Sequence, residues 1–229
     1  MRASVASAFV GYSIAHEGYT PFMYCDTLNL VTTGIGNLID MGVRNGTDTS
    51  ITAMAMALRL PWVNKHTLEP ATQDEIADAW IKVKLAGLSQ HGGFAYESLT
   101  DLILTKDAIA DLVKARLDLN DKILAQGYSS YEQWPADAQF AINSMAWACG
   151  PSFHFPRFHA ALGQTPPDFT EAGVQSEFHG GGKLEDPKSR NAQNAKMFLL
   201  AQMAQTQGWD FDVVYFLQGA PTQPELPQS

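Results

Sequence analysis

Apolar positions recur at helical spacing through residues 3–16, where Phe9, Val10 and Ile14 line up before Glu17-Gly18 ends the pattern. The character then changes. Tyr24, Leu30, Val31, Thr32, Thr33 and Ile35 are strand formers, punctuated by Asp26, Asn29, Gly34 and Gly36, and predict a small hairpin or meander over 19–37. A glycine- and asparagine-bearing loop covers 40–48. An Ala- and Met-rich helix is expected over 50–60, stopping before Pro61. Thr72-Gln-Asp-Glu75 has the form of a capping box and opens a helix to about residue 86. Gly87, Gly92 and Gly93 mark a further loop.

Thr105-Lys-Asp-Ala opens a long helix ending near Gly127, long enough to act as a strut between two lobes. Residues 135–149 form a helix with few polar faces, which fits the core of a second lobe. Residues 151–167 read as a connection, 169–178 and 188–207 as further helices, and the Pro-rich stretch 220–229 as a disordered tail. The expectation is an α+β fold, mostly α, with a small N-terminal sheet. An N-terminal lobe occupies 1–100 and includes an extra helical insertion over 40–99. An inter-lobe helix spans 101–127, and a helical C-terminal lobe spans 128–219.

Composition narrows the function classes. Hydrophobic residues are 45% and charged residues 17% of the 229, which fits a folded core rather than disorder throughout. No stretch reaches the roughly 18 to 20 uncharged apolar residues of a membrane span. The first 15 residues lack a small-residue cleavage pattern, so no signal peptide is expected. Cys25 and Cys149 are too few for a disulfide framework, and no CxxC or HExxH pattern supports a metal or other cofactor. A net charge of −9 disfavours nucleic-acid binding. It also denies the protein long-range attraction to anionic bacterial envelopes.

The chemistry-bearing stretch is Glu17-Gly18 through Asp26, followed by Thr32-Thr33-Gly34-Ile35-Gly36. One carboxylate stands at a helix end, where the negative pole of the helix makes a purely structural acid unfavourable. The other follows nine residues later, in a hairpin beside several hydroxyls. Glycoside hydrolysis uses two carboxyl groups in different settings: one protonates the leaving oxygen, the other stabilises the cationic transition state or activates water. With 24 carboxylates in the chain, such a pair also arises by chance, so spacing alone leaves the assignment open.

The string Glu-x8-Asp-x5-Thr-x-Gly-x-Gly, from Glu17 to Gly36, resembles the active-site signature of the phage-type lysozymes, glycoside hydrolase family 24. Leu104-Thr105-Lys106-Asp107-Ala108 resembles the start of that family's inter-lobe helix. Ala141-Ile142-Asn143-Ser144-Met145 resembles its buried central helix. Ser189-Arg190-Asn191-Ala192 with Phe198 resembles its arginine-bearing helix. The resemblance implies a lysozyme-like two-lobe fold. It implies Glu17 as general acid, Asp26 as base or electrostatic stabiliser, and Thr32 as the residue that positions water. Gly34 and Gly36 would allow tight packing behind the cleft, and Arg190 would partner Glu17. Asn37 stands where the family often has a histidine, and residues 40–99 have no counterpart.

The implied activity is cleavage of the β-1,4 bond between N-acetylmuramic acid and N-acetylglucosamine in peptidoglycan glycan strands, without a cofactor, by a monomer made in the cytoplasm and acting in a target cell's wall or periplasm. Two rivals stand beside it: a lytic transglycosylase, and a non-catalytic peptidoglycan-binding module on the same scaffold. A phage endolysin and an antibacterial toxin fit equally well, the toxin implying an immunity-protein partner.

Overall fold

A computed structural model of the chain describes residues 1–219; the tail expected over 220–229 lies outside them. The fold is α+β and mostly α, with a small antiparallel sheet. The chain divides into two compact units, Tyr12–Ala115 and Met1–Gly11 together with the chain from Arg116 onward. The first is called the hairpin unit below, the second the helical unit.

Helix α1 (Ala3–Glu17) ends where the sequence indicates. Three strands follow, β1 (Thr20–Cys25), β2 (Val31–Gly34) and β3 (Asn37–Leu38), paired antiparallel in that order. Tyr24 lies opposite Thr32 and Cys25 opposite Val31, with a bulge between Thr20 and Tyr24. Bulges of this kind re-aim the side chains beside them.

The helix expected over 50–60 is broken. Ser50 caps a single turn, α2 (Ile51–Met54), through Ala53 N–H, and a 3-10 turn covers Ala57–Arg59. Leu60 is then extended, as the residue before Pro61 must be. Strand β4 (Val63–Asn64) precedes α3 (Gln73–Leu85), whose capping box is formed in both directions between Thr72 and Glu75. Trp62 and Trp80 are fully buried and belong to the core. A 3-10 segment at Gly93–Leu99 leads to β5 (Leu102–Ile103), which pairs with β4, and then to α4 (Lys106–Gly127).

The helical unit is built on α5 (Ala136–Cys149), buried on nearly all sides, as its lack of a polar face predicts. The stretch 151–167 is more than a connection, because α6 (Pro156–Leu162) starts on a proline suited to a first helical turn. Next come α7 (Phe169–Val174), α8 (Arg190–Gln207) and a short α9 (Tyr215–Gln218). Phe158 packs edge-on to Phe198, with ring centres 5.5 Å apart, joining α6 to α8.

The division differs from the one read in the sequence, which keeps residues 1–100 together. The boundary falls inside α1 and inside α4. The cause lies at Phe9, which is fully buried with its ring 5.5 Å from those of Phe140 and Trp147 on α5. Burying one such side chain is worth about 1.5–3 kcal/mol, enough to commit the first half of α1 to the helical unit. No helix among the described residues is long and apolar enough to cross a membrane.

Candidate active site

Glu17 is the last residue of α1 and is exposed. Its carboxylate lies against the backbone of Gly36: a Cβ added at Gly36 would stand 3.5 Å from Glu17 Oε2. Gly36 also has φ +69°, a region that side chains disfavour. Gly34 is more tightly held, since a Cβ there would meet Asn37 Oδ1 at 3.1 Å and Ile109 Cγ2 at 3.2 Å. Asn37, where the family resembled often has a histidine, is buried and accepts a hydrogen bond from Ile35 N–H at 3.2 Å. It therefore closes the turn that carries both glycines.

Asp26 follows β1 and is half-buried. Its Oδ1 accepts from Leu28 N–H and Leu30 N–H, each at 2.9 Å, and its backbone pairs with Asn29 and Leu30 at 3.0 Å. This is the local turn that aspartate favours. Oδ2 takes no part in it. Thr32 is buried on the neighbouring strand and donates from Oγ1 to Leu30 carbonyl at 3.1 Å. The hydroxyl oxygen can still accept a hydrogen bond.

Tyr24 feels the charge of both acids. It is two residues before Asp26, hence on the same face of the strand, and directly opposite Thr32. Burial, joined by the negative charges of Glu17 and Asp26, pushes its phenol up to about 12. Both carboxylates thus act on one hydroxyl, which stays a hydrogen-bond donor across the physiological range. Behind its ring lies Gly93, where an added Cβ would be 3.3 Å from Tyr24 Cγ and Cδ2. Cys25 points to the opposite face, and burial pushes its thiol up to about 11, which suits packing rather than nucleophilic attack.

Glu17, Asp26, Thr32, Gly34 and Gly36 all fall in the hairpin unit. Arg190 falls in the helical unit, as the buried first residue of α8 after its Ser189 cap. Its positive charge there pulls down the Cys149 thiol, which burial raises.

Sequence reasoning missed Tyr24 as a site residue, although its spacing from Asp26 carries the signal. It also missed the fully buried pair Lys84–Asp40, at 2.7 Å. Lys84 falls in the stripe Ile76, Trp80, Lys84 on the buried side of α3, a cation in an otherwise apolar row.

No protein-family model matches the chain, and no curated protein is significantly similar to it.

Proposed function

We propose that the chain is a glycoside hydrolase in which Glu17 is the general acid and Asp26 the carboxylate that supports the cationic transition state or directs water. The substrate we assign is more specific: the β-1,4 bond between N-acetylmuramic acid and N-acetylglucosamine, which makes the activity that of an N-acetylmuramidase. The observation that carries the chemistry is the presence of two carboxylates, in unlike settings, at one hairpin: Glu17 against Gly36 and Asp26 in the turn after β1. Glu17 is exposed at the end of α1, where a leaving-group oxygen could reach it. Asp26 has two backbone N–H groups on one oxygen, which fix the orientation of its carboxylate. Thr32, one strand away, supplies an acceptor for the attacking water. The substrate class rests on the resemblance of the Glu17–Gly36 string to phage-type lysozymes.

The test is digestion of purified sacculi, followed by turbidity and by mass spectrometry of the released fragments. Wild type is expected to release fragments with a reducing N-acetylmuramic acid end. Glu17→Gln is expected to lose roughly 10²–10⁴-fold in rate with its circular dichroism unchanged. Clearance at the wild-type rate by that variant removes Glu17 from the chemistry. Anhydro-muramic ends would make the enzyme a lytic transglycosylase, and co-sedimentation without release would make it a binding module.

A further inference from the structure

Segment 40–99 has no counterpart in the resemblance, yet four of its residues close on the same turn. Residues 26–30 carry Asp26, and their carbonyls are taken in succession. Thr27 carbonyl accepts from Gln90 Nε2 at 3.3 Å, Leu28 carbonyl from Asn45 N–H at 2.6 Å, and Asn29 carbonyl from Lys84 Nζ at 2.6 Å. Asn29 Nδ2 in turn donates to Gly46 carbonyl at 3.0 Å. Asn29 has φ +54°, so its peptide is held in a region that few side-chain-bearing residues adopt.

Lys84 reaches further. Its ammonium also contacts Asp40 Oδ2, with both side chains fully buried. Asp40 passes the connection on to Val31 N–H at 3.1 Å and Gly42 N–H at 2.7 Å. Val31 is the strand partner of Cys25, the residue before Asp26. One charge pair therefore holds the turn at Asn29 and the start of β2 at Val31, next to the residue from which Asp26 projects.

Stability alone is a weak reason to bury two ions, since apolar residues of similar volume commonly do as well. What the pair provides is a fixed geometry. We propose that segment 40–99 clamps the Asp26 turn, with Lys84 as the positioning residue that sets where Asp26 Oδ2 points. This rests on the reading of Asp26 as a catalytic carboxylate. A displacement of about 1 Å at such a group can cost on the order of 10²-fold in rate.

The experiment compares steady-state hydrolysis of soluble peptidoglycan fragments by wild type, Lys84→Met/Asp40→Asn, Asp26→Ala and the triple variant. The paired change removes both charges, so no lone ion is left in the core, and it frees the Asn29 carbonyl. Its kcat is expected to fall roughly tenfold to hundredfold, with KM within about twofold. In the Asp26→Ala background the same pair should cost less than about twofold, because Lys84 acts through Asp26. Gln90→Ala, at the exposed end of the clamp, covers the case in which the core variant does not fold. It should lower kcat about two- to threefold and be silent in the Asp26→Ala background.

Unchanged kcat, or an equal loss with and without Asp26, overturns the clamp. Glu17→Gln separates the two levels. If that variant is as active as wild type, the assignment of Glu17 as the acid fails; if it is inactive while the clamp variants behave as wild type, only the clamp fails.

Discussion

Asp137 offers a test of the helical unit that needs no substrate. It sits in the first turn of α5, fully buried, and its two oxygens accept from Tyr215 N–H and Phe216 N–H, each at 2.9 Å. Burial pushes its carboxyl from 3.8 up to about 6, against the two N–H donors that pull it down. The folded chain therefore keeps this proton up to about pH 6, while the unfolded chain gives it up near 3.8. The stability contributed by Asp137 is full below the lower value and is lost as pH rises through the upper one. At about 1.4 kcal/mol per tenfold change in proton affinity, the whole loss is about 3 kcal/mol, and about 2 kcal/mol of it falls between about pH 4.5 and pH 7. Asp137→Asn has no proton to lose. Its amide leaves one of the two backbone donors without an acceptor, a cost of about 1–3 kcal/mol that does not vary with pH. Urea unfolding of both proteins across this range, followed by circular dichroism, gives the comparison. The advantage of wild type over the variant should shrink by about 2 kcal/mol on going to pH 7. An advantage that stays constant or grows with pH refutes the reasoning.

Two further outcomes bear on the hairpin unit. Tyr24→Phe removes the hydroxyl that feels both carboxylates and should lower kcat/KM roughly tenfold to hundredfold, the scale of a hydrogen bond involving a charged group, with little change in melting temperature; wild-type turnover would exclude Tyr24 from the site. Gly36→Ala should lose about 1–2 kcal/mol from its positive φ alone, whereas Gly34→Ala also presses on Asn37 and Ile109 and should lose more. Thermal melts in the reverse order would contradict the packing described.

Much of the hairpin unit was legible because its signals are local. The end of α1 at Glu17, the strands around Asp26 and Thr32 and the capping box at Thr72 each depend on residues a few positions apart. What escaped depends on distant partners. Lys84 and Asp40 are separated by 44 positions, and no pattern pairs them. The division of α1 is decided by α5, whose Phe140 and Trp147 lie more than a hundred residues downstream of Phe9. Helix α2 is shorter than its sequence suggests because the Ala- and Met-rich run signals propensity but not where the chain must turn toward Pro61. Tyr24 reads as a strand former in the sequence, and its second character emerges only from its nearness to charges that lie apart along the chain.

The sealed indoles of Trp62 and Trp80 have a practical consequence. They are the only tryptophans between residues 12 and 115, and Trp62 is further anchored by Nε1 donating to Ala57 carbonyl at 2.9 Å. Their emission should be shielded from acrylamide while the hairpin unit is folded and should report its unfolding. Oligosaccharide titrations followed by intrinsic fluorescence should accordingly see little from these two residues, so a binding isotherm calls for calorimetry or an extrinsic dye.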